Sequence, residues 1–231
     1  EPVAHPSDVS TVAGLQLFEV GQNETPIVLQ AYALLCDVMG ADRVEDIDSF
    51  LRTVSTSTDD AVVPTLVCAA FDDRIQGVVL GAYLSNLGMG MILYSSVRAP
   101  FRRRGVYSLL RSRLIELLKS AATRSEVAES DERGKDMQYL ISELEPDSEL
   151  SKTYLRRWGA YVAPCEYEQP AAQGLPPRKM DLVFQPIAAH SPPSRDQIAV
   201  AVREIYQRVY RMGEVRRNVQ FRRVVESLHA D

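Results

Sequence analysis

A strand pattern gives way to a helix pattern in the stretch Tyr94-Ser95-Ser96-Val97-Arg98-Ala99-Pro100-Phe101-Arg102-Arg103-Arg104-Gly105-Val106-Tyr107-Ser108. The two patterns meet at a basic turn that contains one glycine, Gly105. Backbone N–H groups at a helix N-terminus, where the macrodipole is positive, bind anionic oxygens, and guanidinium groups around the turn add charge. The stretch therefore predicts a site for a multiply charged anion, such as a phosphate or a pyrophosphate.

Further strand and helix patterns lie on both sides of this turn. Before the turn, the sequence predicts a strand that begins near Leu15, a helix over Thr25–Gly40, a short helix over Asp46–Val54, and strands over Thr65–Phe71, Ile75–Leu84 and Gly90–Arg98. A hairpin signal, Asp72-Asp73-Arg74, joins two of these strands. After the turn, the predicted elements are a helix, a strand over Met137–Glu145, a helix over Asp147–Trp158, and strands near Tyr161–Glu168 and Lys179–Gln185. The order βααβββαβαββ indicates a mixed sheet with helices on its faces.

The helix that follows the turn is predicted to be amphipathic. Its apolar positions are Val106, Leu110, Leu114, Leu117 and Leu118, and its predicted solvent side carries Arg111, Arg113, Glu116 and Lys119. The charged run from Thr123 to Asp136 is predicted to be the fraying end of this helix and a solvated loop.

Three segments are expected along the chain. Residues 1–13 are predicted to be a loose N-terminal segment, residues 14–187 a sheet domain, and residues 194–231 a C-terminal helical extension. In the extension, Ser194 and Gln197 form a possible capping box, and an apolar stripe from Ile198 to Met212 precedes a second helix. The stripe needs burial against the sheet domain or against another subunit, which makes a homodimer through these helices an open alternative.

The composition limits the classes of function. The chain has 231 residues, a formal net charge of -5 and 25% charged residues. An acidic balance argues against general nucleic-acid binding, and packing is favoured over a nucleic-acid role for the C-terminal cluster Arg216, Arg217, Arg222 and Arg223. No run reaches the roughly 18 apolar residues of a membrane helix, and no leader pattern is visible, so the expected location is the cytoplasm, without membrane association.

The cysteine and histidine residues do not predict a metal site or a nucleophile. Three widely spaced cysteines, among them Cys165, indicate neither a disulfide framework nor a zinc site. A buried structural thiol is favoured for Cys165. His5, His190 and His229 lie in terminal or linker regions, which argues against a histidine triad.

The basic turn resembles the acyl-CoA-binding signature of the GCN5-related N-acetyltransferases, the GNAT family. That signature is Arg or Gln, two residues, Gly, one residue, then Gly or Ala, placed between a strand and a helix. Arg102 and Gly105 match it, whereas Tyr107 departs from the small residue of the family. The predicted order of elements over about residues 14–187 is also that of the family. The resemblance implies an α/β fold of the α+β kind, with a mixed, mostly antiparallel central sheet of about seven strands flanked by helices.

The resemblance also implies a co-substrate and the residues that bind it. The co-substrate is acetyl-CoA or another acyl-CoA, with no metal, and the acceptor is the amine of a small molecule or a peptide. Arg103 and Arg104 are expected to contact phosphate, and Arg98 either reaches the adenosine 3′-phosphate or is solvated. The full set of expected cofactor-binding residues is Ser96, Val97, Arg98, Arg102, Arg103, Arg104, Gly105, Val106, Tyr107 and Ser108.

A second resemblance lies further along the chain. Glu143 matches a glutamate that serves as general base in family members that acetylate peptide N-termini. Ser148 stands where an asparagine usually helps to bind the cofactor, and Leu155 stands where the acid tyrosine usually lies. The expected catalytic residues are therefore Glu143 as base and the neighbouring Tyr154 as acid. The alternatives are a solvent-edge role for Glu143 and ring packing for Tyr154, whose side chain is rotated by about 100° from that of the next residue.

The implied activity is direct transfer of an acetyl group from acetyl-CoA to an amine, with a backbone N–H near Val97 as oxyanion donor. Two alternatives keep the same fold. One is a transferase that uses a longer acyl-CoA or an acyl-carrier donor, and the other is a non-catalytic acyl-CoA-binding regulatory module.

Overall fold

A seven-stranded sheet organises the computed structural model, which describes residues 14–21, 24–55, 61–124, 136–171 and 176–230. The elements, in chain order, are β1 (Gln16–Glu19), α1 (Thr25–Met39), α2 (Ile47–Ser55), β2 (Val62–Phe71), β3 (Arg74–Leu84), β4 (Met89–Val97), α3 (Val106–Arg124), β5 (Tyr139–Leu144), α4 (Glu149–Trp158), β6 (Tyr161–Val162), β7 (Glu168–Gln169), β8 (Arg178–Lys179), β9 (Asp181–Pro186), α5 (Arg195–Glu204) and α6 (Val219–His229). A π-helical turn, Ile205–Val209, continues α5.

The strand order is β1-β2-β3-β4-β5-β9-β6, and a separate pair is formed by β7 and β8. All neighbouring strands are antiparallel except β4 and β5, which are parallel. The predicted mixed, mostly antiparallel sheet flanked by helices is confirmed. The predicted hairpin between β2 and β3 is also confirmed, because Asp72 and Asp73 both adopt positive φ, as a tight hairpin turn with the right twist requires.

The predicted limits of the last two strands of the sheet domain are wrong. The strand expected over Tyr161–Glu168 is two short strands, β6 and β7, because Pro164 cannot donate to a ladder. The strand expected over Lys179–Gln185 is likewise divided into β8 and β9. The loose segment expected at residues 1–13, most of the loop expected after α3, and the core of the Gly/Pro loop at residues 172–175 lie outside the described residues.

Three apolar clusters place the helices on the two faces of the sheet. On one face, α3 and α4 pack on the central strands around Leu110, Leu114 and Tyr154. On the opposite face, α1 and α2 cover β2 and β3. The C-terminal helices cover β5 and β9 on the face that α1 and α2 also cover. Leu182 and Phe184 of β9 belong to the cluster of the C-terminal helices, whereas Val183, which points to the other face, belongs to the cluster of α3. None of the helices in the described ranges has the length and apolar composition of a membrane span.

The C-terminal helices bury their stripe within the chain. The predicted capping box of α5 is present, with the Ser194 hydroxyl accepting from the Gln197 N–H at 3.2 Å and the Gln197 side chain accepting from the Ser194 N–H at 2.8 Å. Ile198, Ala201 and Val202 of α5 join Tyr139, Ile141 and other strand residues in one cluster. The stripe therefore does not need a second subunit for burial. Arg216, Arg217, Arg222 and Arg223 are exposed.

Glycines on β3 and β4 allow α3 to lie close to the sheet. A Cβ atom on Gly81 would lie 2.7 Å from the backbone oxygen of Met91 and 2.8 Å from a methyl group of Leu114. Gly77 and Gly90 also face α3, where a Cβ would lie 2.9 Å from methyl groups of Leu110 and Leu118. The sheet therefore has no room for a side chain at these places.

We expect Gly81→Ala to lower the free energy of unfolding by about 1–3 kcal/mol, because a backbone carbonyl cannot move aside cheaply. Chemical denaturation measures this change. Gly213→Ala is the matched control, since nothing lies within 4 Å of its Cβ position. An equal effect of the two substitutions would contradict the close approach of α3.

Candidate active site

A cavity opens where the two parallel strands at the centre of the sheet separate. β4 and β5 pair only from Met89 with Tyr139 to Ile92 with Ser142. Beyond these pairs, β4 continues to Val97 and β5 to Leu144, and a cavity of about 240 Å³ lies at the gap. The two strands therefore supply the walls of one groove.

A β-bulge in β4 marks the start of the separation. Leu80 of β3 pairs with Tyr94 and Gly81 pairs with Ile92, which leaves Leu93 as the extra residue. A bulge bends its strand and increases the local twist. Leu93 and Tyr94 consequently line the cavity.

The basic turn lies at the end of β4 and leads into α3. Arg103 and Gly105 have φ values of 59° and 78°, and the Arg102 Nε donates to the Val97 carbonyl at 2.8 Å. Because α3 begins at Val106, the N–H groups of its first turn have no intrahelical acceptor. The turn therefore presents amides and a positive helix end beside the cavity.

The predicted cofactor-binding residues have different environments. Ser96 and Val97 are buried at the end of β4, whereas Arg103 and Arg104 are exposed. Arg98 pairs with Asp37 of α1 at 2.5 Å, with both side chains partly exposed. The Arg98 guanidinium is therefore neither fully solvated nor unpartnered.

Four large side chains fill the space between α3 and α4. The Tyr107 hydroxyl lies 2.9 Å from the Tyr154 hydroxyl, which also accepts from the Ser142 hydroxyl at 3.1 Å. The Arg111 guanidinium lies 3.9 Å from the Trp158 ring centre and 5.7 Å from that of Tyr154. Tyr107 and Tyr154 both line the cavity. The Tyr107 side chain therefore extends into the groove at the position where the GNAT signature has a small residue.

The prediction that Arg111 lies on the solvent side of α3 is wrong. Arg111 is 5% exposed, and its Nε and Nη2 have no hydrogen-bond partner among the described residues. Burial lowers the pKa of this guanidinium, and the neighbouring tyrosines Tyr154 and Tyr107 oppose the shift. The rings of α4 attract the buried cation, which a helical pattern read from the sequence does not reveal.

Glu143 on β5 lies in a network of tyrosines. Tyr167 donates to its Oε1, and Tyr210 donates to its Oε2 at 2.5 Å. Tyr210 also accepts from the Gln169 side chain at 2.8 Å. Burial raises the pKa of the Glu143 carboxyl, and the two tyrosine hydrogen bonds oppose that shift. Glu143 is therefore held inside the groove rather than at a solvent edge.

Tyr210 reaches the site from the C-terminal extension. The π-helical turn at residues 205–209 ends with the Tyr210 N–H donating to the Ile205 carbonyl at 3.0 Å. Such a turn inserts one residue and changes the direction of the side chains that follow. The extension therefore completes the surroundings of Glu143.

A smaller chamber adjoins the cavity on the side of α2. It has a volume of about 30 Å³, and Glu143, Tyr94 and Glu45 are among its lining residues. Glu45 is 2% exposed, and its Oε2 has no hydrogen-bond partner among the described residues. Burial raises the pKa of this carboxyl to about 7. Two carboxyl groups with raised pKa values therefore face one chamber.

Ser148, which the sequence aligns with a cofactor-binding asparagine, lines the cavity, and its hydroxyl caps α4 by accepting from the Ser151 N–H at 3.1 Å. Leu155 is exposed on the same helix. Burial raises the pKa of the Cys165 thiol to about 11, so it stays protonated at neutral pH.

Structure comparison identifies proteins that share this architecture. A protein described as a GNAT-family acetyltransferase from Bacteroides thetaiotaomicron superposes with a TM-score of 0.61 at 12% identity, over 86% of this chain and 99% of that one. The chain has the GNAT fold. The Escherichia coli ribosomal-protein-S18-alanine N-acetyltransferase matches with a TM-score of 0.50 at 10% identity, over 78% and 99%. Ard1 from Thermoplasma volcanium matches with a TM-score of 0.51 at 12% identity, over 75% and 98%.

Scans of the sequence against family models and against curated proteins find no match. At identities of 10–12%, the superpositions establish the GNAT fold alone.

Within this GNAT fold, Tyr167, Tyr210 and Glu45 lie around Glu143, and the sequence did not predict them as site residues. Tyr206 and Tyr210 lie four residues apart in the C-terminal stripe, which is a signal that both rings are on one helix face. The sequence contains no comparable signal for Glu45, because its burial depends on β4 and on the C-terminal residues around it.

Proposed function

We propose that the chain is an acyl-CoA-dependent N-acyltransferase that transfers acetyl from acetyl-CoA to an amine. The observation that carries this proposal is the separation of β4 and β5 after four paired residues, with a cavity whose lining extends from Tyr107 at the turn to Glu143 on β5. A thioester held at the turn would thus have its acyl end beside a basic carboxylate. The GNAT fold supports the same assignment.

The residues around the turn suit the anionic part of an acyl-CoA. The first-turn amides of α3 and the exposed Arg103 and Arg104 offer donors and positive charge to a pyrophosphate. A co-substrate with phosphate oxygens would accept from these first-turn amides, which have no acceptor within the helix.

Glu143 is the proposed general base. The attacking amine must lose a proton, and a carboxylate whose pKa is raised by burial is a stronger base than an exposed one. Tyr167 and Tyr210 each donate to one oxygen of the Glu143 carboxylate. Each oxygen therefore retains a lone pair that can accept from the amine or from an intervening water. The proton lost as the N–C bond forms would be accepted at this carboxylate.

Tyr154 is the proposed acid, and a backbone N–H near Val97 is the proposed donor to the thioester oxygen. Tyr154 is a lining residue of the cavity, and its hydroxyl accepts from Ser142 and lies 2.9 Å from the Tyr107 hydroxyl, so its own proton is directed away from Ser142. As the C–S bond breaks, the leaving thiolate would take the Tyr154 proton. The acyl-CoA supplies an activated thioester, so no covalent enzyme intermediate is required.

A second candidate is a non-catalytic acyl-CoA-binding module. Two positions on α4 favour it, because Leu155 is exposed where the family usually has its acid tyrosine, and the Ser148 hydroxyl caps the helix where an asparagine usually helps to bind the cofactor. A transferase that uses a longer acyl-CoA or an acyl-carrier donor is the third hypothesis.

The test is an incubation of the full chain with acetyl-CoA and a panel of small amines and peptides. Release of free CoA thiol together with a 42 Da mass increase of the amine, about one acetyl group, is the expected result. Acyl-CoA binding without any turnover would favour the module. Turnover with acyl-carrier or long-chain donors alone would favour the third hypothesis, a transferase with a different acyl donor.

Tyr210→Phe should shift the acidic limb of the pH–rate profile to higher pH. The Tyr210 hydroxyl lowers the pKa of Glu143, so its removal raises that pKa and leaves less base at neutral pH. We expect kcat/KM at pH 7 to fall about 3- to 10-fold, with recovery at alkaline pH. Tyr161→Phe, a partly exposed tyrosine on β6, is the control. A pH-independent loss would show that Tyr210 acts only through packing.

A further inference from the structure

The small chamber beside Glu143 is lined by a second buried carboxyl group, that of Glu45. The chamber has a volume of about 30 Å³, and Glu45, Glu143 and Tyr94 are among its lining residues. Glu45 is 2% exposed, and its Oε2 has no hydrogen-bond partner among the described residues. Most buried acceptors in folded proteins bond to the protein or to an ordered water. The chamber is therefore a candidate water site.

Tyrosine hydroxyl groups hold both carboxyl-bearing residues at the chamber. The Glu45 N–H donates to the Tyr94 hydroxyl at 3.3 Å, and the Tyr32 hydroxyl donates to the Glu45 carbonyl at 3.1 Å. These bonds tie the segment between α1 and α2 to β4. Tyr167 and Tyr210 donate to the Glu143 carboxylate. The two carboxyl groups thus keep fixed places at one small space.

The volume and the polar groups of the chamber suit a water molecule. A buried water needs roughly 10–15 Å³ and two to four polar partners. The Oε2 of Glu45 and the remaining lone pairs of the Glu143 carboxylate are acceptors for the two protons of a water. The Tyr94 hydroxyl accepts from the Glu45 N–H and keeps its own proton for donation to the water oxygen. A water in the chamber would thus have partners for both of its protons and for its oxygen.

We infer that a water in this chamber links Glu143 to Glu45, and that Glu45 is a positioning residue that takes the amine proton onward from Glu143. The inference rests on the proposed acyl transfer. As the N–C bond forms, the N–H bond of the amine breaks and its proton goes to Glu143. Glu143 passes a proton to the water, and the water passes one of its own to Glu45. The water is regenerated, and Glu143 is again a carboxylate.

The charges around Glu45 suit a group that gains and loses a proton near neutral pH. Burial raises the pKa of its carboxyl to about 7, and Asp46 adds to the shift. A hydrogen bond with Thr53 and the charges of Arg211 and Arg52 oppose the shift, because they favour the ionised form. The other titratable groups beside it are Tyr32, Tyr94 and Glu143. A carboxyl group with a pKa near the working pH is suited to accept and release protons.

Glu45→Gln should change the acidic limb of the pH–rate profile for acetyl transfer. Both carboxylates must be ionised in the parent, so log kcat/KM should rise by about two units per pH unit at the acidic end, and by about one in the variant. We also expect kcat/KM at pH 8 to fall about 10-fold, because the proton stays on Glu143. Asp48→Asn, which changes an exposed carboxylate on α2, is the matched control and should keep the parent profile.

Two results of these assays would overturn the inference. One is an acidic limb in Glu45→Gln that is as steep as that of the parent, since a structural role alone would lower the rate equally at every pH. The other is a preference for α,ω-diamines over matched n-alkylamines that Glu45→Gln abolishes, because it would place a cation of the acceptor in the chamber instead of a water.

A readout without turnover separates this inference from the proposed function. Infrared difference spectra between about pH 5 and pH 9 follow the carbonyl band of protonated Glu45, which is assigned by its loss in Glu45→Gln. We expect Glu143→Gln to shift this band or its titration midpoint, because the water then bonds to an amide in place of a carboxylate. If no amine is acetylated, the proposed function fails, whereas this shift still supports the water link. An identical band and midpoint in Glu143→Gln would overturn it.

Discussion

Glu143→Gln is expected to lower kcat/KM for acetyl transfer by about 10²- to 10³-fold, while the affinity for acetyl-CoA stays within about 3-fold of the parent value. Glutamine keeps the size of the side chain and can still bond to the tyrosines, but it cannot accept the amine proton. The loss should appear mainly in kcat, because the proton is transferred after both substrates are bound. Steady-state thiol release and calorimetry with acetyl-CoA measure the two quantities separately.

Glu116→Gln is the matched control for this prediction. Glu116 lies on α3, is not among the cavity-lining residues, and pairs with Arg113 at 3.0 Å on an exposed surface. An exposed ion pair of this kind is worth little, so we expect less than about a 3-fold change. Comparable losses in the two variants would remove Glu143 from the role of base.

Glu45→Gln should make the protein more stable at alkaline pH and leave its stability at acidic pH unchanged. Burial raises the pKa of Glu45 from 4.5 to about 7, with Arg211 and Arg52 opposing the shift and Asp46 adding to it. The folded-state pKa thus exceeds that of the unfolded chain. The stabilising effect of the protonated carboxyl is present below about pH 4.5 and is lost as the pH rises through about 7.

Glutamine is neutral at every pH, so the difference in free energy of unfolding between variant and parent follows the ionisation of Glu45. We expect no difference near pH 4.5 and a gain of about 3 kcal/mol for the variant at pH 8. Urea denaturation at both pH values measures it. Glu226→Gln, at an exposed position on α6, should change stability by less than about 0.5 kcal/mol at either pH. A pH-independent difference would show that the Glu45 carboxyl does not titrate in the folded state.

The sequence contained enough information to predict the sheet, because strand and helix periodicities depend on residues that are close in the chain. The turn at Arg102 and Gly105 and the hairpin at Asp72 and Asp73 are local signals of this kind. The end of β6 before Pro164 is also a local signal, whereas the limits of β8 were not predictable in this way, since short strands depend on the partners that the sheet offers.

The surroundings of Glu143 could not be predicted for a different reason. Its two hydrogen-bond donors lie 24 and 67 residues away in the chain, and one of them requires the π-helical turn to reach it. Arg111 is a similar case. Its position in the helical pattern of α3 predicts a solvent-facing side chain, but in the folded protein the Trp158 ring of α4 covers it. In both cases the tertiary contacts determine the chemistry.

The groove between β4 and β5 is proposed to bind an acyl-CoA at the turn that opens α3. Calorimetric titration of the full chain with acetyl-CoA tests it most directly, with Gly105→Val as the variant because Gly105 has a φ of 78° that a β-branched residue does not tolerate. We expect one molecule to bind per chain, with an affinity lower by at least about 10-fold in the variant. No binding of acetyl-CoA or of any longer acyl-CoA to the parent chain would contradict it.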